Sequence, residues 1–235
     1  MSDLHRKVAG RGIPSGLPPR PLMGRVGGVG RGGRGGGGGR KSYTPLSWRK
    51  YWDKKQFVET SEGKFCVYSV GDGPGAVLCL LHGGGYSALT WSVMAKEMTL
   101  LVNCRVVAID MRGHGETQLV GEGDGDELDL SGASMACDVR GVLSKLFENE
   151  SSGIVLVGHS MGGAVATLAG EGGFPGLAGL VVVDVVEGTA LEALASMHTV
   201  LQGRPRMFAS IEQAVEWCVR SGQVGHAYIV RNCKI

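Results

Sequence analysis

Ser160 lies in the pattern Gly-His-Ser-Met-Gly at 158–162, whose residue types could present a nucleophilic hydroxyl. The pattern comes directly after the apolar run 154–157 and directly before the helix-like residues 162–169. A serine on a sharp strand-to-helix turn has a strained backbone, and the turn needs neighbours without bulk. We therefore predict that Ser160 is the nucleophile of a hydrolase. The alternative interpretation is a tight turn with a bystander serine.

A second glycine-rich pattern, His-Gly-Gly-Gly at 82–85, follows another apolar run. Acyl transfer creates an oxyanion, and each backbone N–H donor that can reach it lowers the barrier by about 2.7–4 kcal/mol. In this arrangement one donor is the amide of Met161, directly after the serine, and the other comes from Gly83 or Gly84. The pattern therefore predicts an oxyanion hole, and a flexible turn is the alternative.

A polar sequence, Asp-Met-Arg-Gly-His-Gly-Glu-Thr at 110–117, follows the apolar run 104–109. Sheets of parallel strands bind ligands at the carboxyl ends of their strands, which is where this sequence would lie. We nevertheless expect structural roles here. Asp110 and Arg112 are predicted to hold the loops around the serine turn, and His82 is predicted to support the glycine loop rather than to react.

The acid of a catalytic triad is expected after the serine, because in chains with this serine turn the order is Ser, then acid, then His. Asp184 directly follows the apolar run 180–183 and is the predicted acid. Glu187 is the second candidate. The remaining alternative is that Asp184 only helps to cap a helix that begins at Thr189.

The sequence offers no favoured candidate for the histidine of the triad. The same order excludes the histidines that precede Ser160, which are His82, His114 and His159, and leaves His198 and His226. His198 lies in a helical pattern, and His226 lies within the last ten residues with no later strand-like run to hold it. Neither is favoured, and we expect this chain to lack the base.

The apolar runs predict the strands that would position these residues. They have almost no polar residues, which is typical of parallel strands covered on both faces, and they lie at 76–81, 104–109, 154–157 and 180–183. A β-rich run at 65–70 precedes them. Helical spacing of apolar residues over 135–147, behind a capping Ser134, predicts a helix between two of them. Alternating strands and helices indicate an α/β fold with a mostly parallel sheet.

The chain divides by composition into four parts. Residues 1–41 carry a net charge of +8 against −6 for the rest, and 14 of the 41 glycines lie in the first 40 residues, so we expect a disordered Gly/Arg-rich tail. Residues 42–188 are the predicted α/β core, whose first part, 42–64, looks like a segment laid over the surface. Residues 189–223 are predicted lid helices, the second one capped by Ser210, and 224–235 form a divergent C-terminal tail.

The composition of the chain argues against several classes of protein. No run approaches the ~20 apolar residues that a bilayer demands, and the N-terminus lacks a secretory apolar core, so we expect a cytoplasmic or nuclear protein without a membrane. The six cysteines show no C-x-x-C spacing and are predicted to be mostly buried thiols. We expect neither a metal nor an organic cofactor. Nucleic-acid binding by the Arg-Gly tail is not favoured, because the tail has no aromatic residues to stack on bases.

Four motifs together resemble the protein phosphatase methylesterases, which are α/β hydrolases. They are HGGG-x-S-A-L at 82–89, D-x-R-x-H-G-E-T at 110–117, GHSMGGA at 158–164 and DVVEGTA at 184–190. DVVEGTA, together with RPRMFASIEQAVEWCVRSGQ at 204–223, is the most specific part, and the resemblance runs from about Thr44 to Gln223.

The resemblance implies a function. Members of the family remove the methyl ester from the C-terminal leucine of the catalytic subunit of protein phosphatase 2A, which would be the partner of this chain. It also implies that Ser160 is the nucleophile and Asp184 the acid. Family members continue beyond Val224 with more lid, further strands and the catalytic histidine, so we expect a truncated and weakly active or inactive esterase. The alternative is a non-catalytic phosphatase-binding module.

Overall fold

A computed structural model of the chain describes residues 43–121, 128–148, 152–185, 205 and 207–221. Within these ranges, seven strands form one sheet and four α-helices accompany it. The elements in chain order are β1 (Lys54–Glu59), β2 (Gly63–Val70), β3 (Val77–Leu81), α1 (Ser92–Leu101), β4 (Arg105–Ile109), β5 (Gln118–Leu119), α2 (Gly132–Leu146), β6 (Ile154–His159), α3 (Met161–Glu171), β7 (Leu177–Val183) and α4 (Ile211–Arg220).

The sheet has the order β1-β2-β4-β3-β6-β7, with β5 paired to β2. The strands β4, β3, β6 and β7 are parallel, whereas every pairing of β1, β2 and β5 is antiparallel. The predicted α/β class with a mostly parallel sheet is therefore confirmed. Because the parallel strands all end at the same edge, the residues that follow β3, β4, β6 and β7 meet there.

The sheet is covered on both faces by apolar clusters. Successive side chains of a strand point to opposite faces, and in β2 Phe65 and Val67 join one cluster while Cys66 and Tyr68 join the other. The first cluster includes the apolar sides of α2 and α3, and the second includes α1. The inner strands β3, β4 and β6 are buried between these layers, as their apolar runs predict.

The outer strand β7 differs from the inner ones. Its residues Leu180–Val183 follow the same apolar pattern, but their side chains are 42–46% exposed. Within the described residues β7 pairs only with β6. The prediction that this run is covered on both faces is therefore wrong for the part of the chain that the structure describes.

The segment 42–64 is not a surface layer. Tyr51 and Trp52 are buried, and the Nε1–H of Trp52 donates a hydrogen bond to Oγ of Ser92 at 2.9 Å. The next residues form β1, which pairs with β2 along its whole length. Tyr51 and Trp52 thus belong to the core, whereas Phe57 on β1 is 47% exposed.

Helix α2 begins earlier than its apolar spacing indicates. Ser131 is its N-cap, and its Oγ accepts a hydrogen bond from the backbone N–H of Ser134 at 3.3 Å. Ser134 thus lies inside the helix, and its predicted capping role is wrong. The cap predicted at Ser210 is confirmed, because Oγ of Ser210 accepts from the backbone N–H of Gln213 at 3.2 Å.

Several predictions fall outside the described residues. These are the Gly/Arg-rich tail, the divergent C-terminal tail and most of the predicted lid, of which the structure describes α4. None of the described helices has the length and apolar character needed to cross a membrane. Among the described cysteines, Cys66, Cys79, Cys104 and Cys218 are buried free thiols, whereas Cys137 is exposed.

Candidate active site

Ser160 connects β6 directly to α3 and has the backbone angles φ 52° and ψ −120°. Among the described residues that are not glycine, only Ser160 and Asp184 have a positive φ. A residue with a Cβ is strained in this region, and such strain persists only where the surrounding structure enforces it. The exposed side chain of Ser160 is thereby held at the end of the strand, as the sequence pattern predicts for a strained serine turn.

Glycines make this turn possible. A Cβ added at Gly162 would lie 2.6 Å from the carbonyl oxygen of His82, and one added at Gly158 would lie 2.6 Å from Cα of Gly163. Both positions are closed to any side chain. The first turn of α3 consequently packs directly against the end of β3.

The HGGG loop lies beside Ser160, because β3 is the parallel neighbour of β6 and Leu81 pairs with Gly158. A Cβ added at Gly83 would lie 3.5 Å from Cβ of Ser160, and one added at Gly84 would lie 3.6 Å from Sδ of Met161. The structure therefore brings together the residues that the sequence singles out for the oxyanion hole. Met161 is the first residue of α3, where backbone N–H groups have no partner within the helix.

Asp184 reaches the same edge from the other side. β7 is parallel to β6 with His159 opposite Val183, and the backbone N–H of Ser160 donates to the carbonyl oxygen of Val183 at 3.0 Å. Asp184 follows directly and also has a φ of 52°. Its side chain is 76% exposed. The second candidate acid, Glu187, lies outside the described residues.

The base that would act on Ser160 is not identified among the described residues. In the part of the chain that the structure describes, the Oγ of Ser160 has no hydrogen-bond partner. The two histidines that remain as candidates by chain order, His198 and His226, lie outside these residues. The identity of the base therefore stays a prediction.

His82 supports the glycine loop from beneath. Its ring is fully buried, its Nδ1 lies 2.8 Å from the carbonyl oxygen of Gly83, and its Nε2 accepts a hydrogen bond from the backbone N–H of Met111 at 3.1 Å. Because Nε2 accepts, Nδ1 carries the hydrogen and donates to Gly83. Burial lowers the pKa of His82 to about 4, so the ring is neutral near pH 7. These contacts agree with the expected supporting role.

His114 binds the backbone of the third glycine of the loop, Gly85, and the sequence did not predict this contact. Its Nε2 accepts from the backbone N–H of Gly85 at 3.1 Å, and its Nδ1 lies 2.8 Å from the carbonyl oxygen of Arg112. The signal was present in the spacing of 110–117, but assigning the contact requires knowing that β3 and β4 are neighbours. The HGGG loop is consequently fixed by two imidazoles rather than one.

Asp110 and Arg112 pin the surrounding loops, as expected. The carboxylate of Asp110 accepts from the backbone N–H groups of Ala88 at 2.7 Å and Glu116 at 2.9 Å. The guanidinium of Arg112 makes two hydrogen bonds to the carboxylate of Asp138 on α2, at 2.5 and 2.7 Å. The loops after β3 and β4 are thus tied to each other and to a helix.

Within the described ranges, no group of three or more His, Cys, Asp or Glu side chains could hold a metal ion. A cavity of about 390 Å³ borders Arg112, Cys137 and Asp138 and has none of the predicted site residues in its lining. The predicted site residues lie instead at the exposed edge of the sheet around Ser160.

Comparison with known proteins assigns the family. Residues 77–225 match the Alpha/beta hydrolase family, which is more than half of the chain. The chain belongs to the α/β-hydrolase family. The fold that the sequence predicts is thereby confirmed.

Curated proteins named protein phosphatase methylesterase are similar to this chain. Protein phosphatase methylesterase 1 of Mus musculus is 44% identical over 190 residues, which are 79% of this chain and 48% of the mouse protein. Probable protein phosphatase methylesterase 1 of Caenorhabditis elegans is 39% identical over 224 residues, which are 94% of this chain and 56% of the worm protein. The predicted resemblance is confirmed, and this α/β hydrolase spans about half the length of the curated relatives it matches.

Solved structures share the fold of this α/β hydrolase. An E-2-(acetamidomethylene)succinate hydrolase superposes with a TM-score of 0.61 at 20% identity, covering 76% of this chain and 62% of that chain. The thioesterase domain from the curacin biosynthetic pathway has a TM-score of 0.58 at 22% identity, with 76% and 65% covered. At this identity the likeness concerns the fold alone.

Proposed function

We propose that this α/β hydrolase is a serine carboxylesterase that acts on the C-terminal leucine methyl ester of the catalytic subunit of protein phosphatase 2A. The observation that carries the proposal is the position of Ser160. Its hydroxyl stands on a strained turn at the open edge of the sheet, and a Cβ at Gly83 would be 3.5 Å from Cβ of Ser160. A nucleophile and a source of backbone N–H donors thus lie side by side.

The reaction follows from these positions. Oγ of Ser160 attacks the ester carbonyl, and the backbone N–H groups of Met161 and of Gly83 or Gly84 stabilise the oxyanion. The hydroxyl proton passes to a base and then to the departing methoxide, so methanol leaves and an acyl-enzyme remains. Water attacks the acyl-enzyme, gives its proton to the base, and releases the free carboxylate. Asp184 orients the base and stabilises its charged form.

The substrate is proposed from similarity. Fold and nucleophile do not choose the acyl group, and the same site could serve many esters. The relatives at 44% and 39% identity are named protein phosphatase methylesterase, and the motifs around Ser160 and Asp184 are those of that family. The partner proposed for this chain is accordingly the phosphatase catalytic subunit.

Turnover is proposed to be slow. A serine hydroxyl without an adjacent base is a weak nucleophile, and loss of the histidine from a serine triad lowers kcat on the order of 10⁶-fold. In the part of the chain that the structure describes, no imidazole contacts the Ser160 hydroxyl. The oxyanion hole and binding alone can retain about 10³–10⁴ over water.

A fluorophosphonate probe tests the nucleophile in the full chain. We expect slow covalent labelling that is absent from Ser160→Ala and retained in Ser210→Ala, a matched serine variant at the cap of α4. Labelling that survives Ser160→Ala would refute the assignment. Hydrolysis of a peptide ending in leucine methyl ester, compared between the chain and its His198→Ala and His226→Ala variants, tests whether either histidine supplies the base.

A non-catalytic phosphatase-binding module is the second candidate, favoured by the lack of a partner for the Ser160 hydroxyl among the described residues. It predicts no labelling and no ester hydrolysis, together with capture of the phosphatase catalytic subunit by the full chain. The capture would be unchanged in Ser160→Ala. Labelling at Ser160 without capture would reject the module.

A further inference from the structure

His159 lies between the two loops that flank the serine turn. Its Nε2 is 3.9 Å from Oδ2 of Asp184. On the other side, a Cβ added at Gly83 would lie 3.0 Å from Nδ1 of the same ring. The imidazole therefore spans the distance from the HGGG loop to the loop after β7. It is 32% exposed, so this placement is not a burial in the core.

The register of the sheet explains this position. His159 is the last residue of β6, and β6 has β3 on one side and β7 on the other. Leu81 pairs with Gly158, and His159 pairs with Val183. His159 therefore lies between the segments that follow the two neighbouring strands, and these segments contain Gly83 and Asp184.

On the Gly83 side, the ring lies near the loop backbone. A Cβ at 83 would be tighter against the ring than ordinary van der Waals contact, so the absence of a side chain there lets the imidazole approach the loop backbone. A shift of the ring would thus displace either the glycine loop or the carboxylate. Both must keep their geometry for acyl transfer, and a misplacement of about 1 Å can cost up to ~10²-fold in rate.

His159 is also the basic neighbour of the Asp184 carboxylate in the described part of the chain. Among the described side chains, His159 is the only basic group within ion-pair distance of it. Because Asp184 is largely exposed, this imidazole is the one described basic side chain that can bias the orientations of its carboxylate.

We propose that His159 is a positioning residue, which holds the Asp184 carboxylate beside Ser160 and keeps it in register with the glycine loop. The contact itself stands on the geometry, while its effect on catalysis rests on the function proposed above. Chain order excludes His159 as the base of the triad, and nothing in this proposal gives it that role. The triad acid and the oxyanion hole are thereby coupled through one side chain.

The contact is tested by NMR of the full chain labelled with ¹⁵N-histidine. We expect the imidazole ¹⁵N resonances of His159, assigned by their loss in His159→Gln, to move when Asp184→Asn removes the carboxylate charge. The resonances of His114 serve as an internal control and should not move. Asp129→Asn, which removes an exposed carboxylate elsewhere, should leave His159 unchanged. Resonances of His159 that do not respond to Asp184→Asn would overturn the proposal.

The effect on the site is tested by the rate of fluorophosphonate labelling between pH 5 and 9. We expect His159→Ala to lower the rate about 10-fold and to alter its pH profile. His159→Gln, whose amide can still donate to Asp184, should recover most of the loss. Equal rates in the wild-type chain and both variants would refute the positioning role. If the wild-type chain is not labelled at all, the proposed function fails, and the NMR experiment still decides the contact.

Discussion

The backbone N–H of Met111 donates a hydrogen bond to Nε2 of His82 at 3.1 Å, and this bond joins the loop after β4 to the HGGG loop. It requires a ring that is not protonated at Nε2. Burial meets this requirement by lowering the pKa of His82 to about 4. The support of the glycine loop is therefore a property of the neutral imidazole.

We expect the free energy of unfolding to fall as the pH drops from 6.5 to about 4. The folded pKa lies below the unfolded one, so the unfolded chain binds a proton first and gains stability over this range. The contribution of His82 is complete above pH 6.5 and amounts to about 3 kcal/mol. Urea unfolding at a series of pH values measures it.

The matched variant is His82→Gln, which does not titrate. Its unfolding free energy should depend less steeply on pH between 4 and 6.5 than that of the wild-type chain. A pH dependence identical in both would show that another group is responsible.

Backbone strain at Ser160 predicts a difference in stability between two variants that lack its hydroxyl. Both Ser160→Ala and Ser160→Gly remove the hydroxyl, but only glycine adopts φ 52° without strain. We expect the glycine variant to be more stable than the alanine variant by about 1 kcal/mol, after the greater freedom of glycine in the unfolded chain is taken into account. Thermal unfolding of the pair measures this difference. A more stable alanine variant would contradict the strained turn.

Close packing at Gly162 predicts a large effect of one methyl group. A Cβ there would lie 2.6 Å from the carbonyl oxygen of His82, so α3 or the end of β3 must move. We expect Gly162→Ala to destabilise the chain by about 1–3 kcal/mol or more and to abolish labelling at Ser160. Gly172→Ala is the control, because no atom lies within 4 Å of its added Cβ. Urea unfolding compares them, and equal stabilities would argue against the packing.

Arg112 and Asp138 form a buried charge pair. Asp138→Asn preserves the shape of the side chain but removes the buried charge that pairs with the guanidinium. The carboxylate of Glu62 stays 4.0 Å from Arg112 but is half exposed, and we expect a loss of about 3 kcal/mol. Glu59→Gln is the matched control, because Glu59 and Lys64 form an exposed pair in β1 and β2 and its loss should change the free energy of unfolding very little. Similar losses in the two variants would remove the distinction between the pairs.

The sequence located much of the site because the relevant residues follow apolar runs. Ser160, Gly83 and Asp184 each stand within two residues of a parallel strand's end, and parallel strands end at one edge. Their proximity therefore follows from the fold class. His159 and His114 could not be assigned in the same way, because their contacts depend on which strands are neighbours and on the register between them.

The fold was harder to read where a strand is partly polar. The sequence of β1, Lys-Lys-Gln-Phe-Val-Glu, has one buried residue, Val58, so no apolar pattern marks it as a strand. Its structure comes from pairing with β2, which only the folded chain supplies. The start of α2 was predicted at the wrong serine. Ser131 and Ser134 lie three residues apart and can each act as a cap, and the apolar spacing does not distinguish them.

The outer position of β7 divides the site into halves of unequal local stability. Gly83 and Ser160 follow β3 and β6, which have hydrogen-bonded neighbours on both sides, whereas Asp184 follows a strand that is bonded on one side within the described residues. Detaching that strand breaks one ladder and leaves the rest of the sheet intact, so it requires less free energy than global unfolding. Amide hydrogen exchange would accordingly be faster along 177–183 than along 154–158. During such local openings the Asp184 carboxylate would move away, while the Ser160 hydroxyl and the HGGG loop would stay in place.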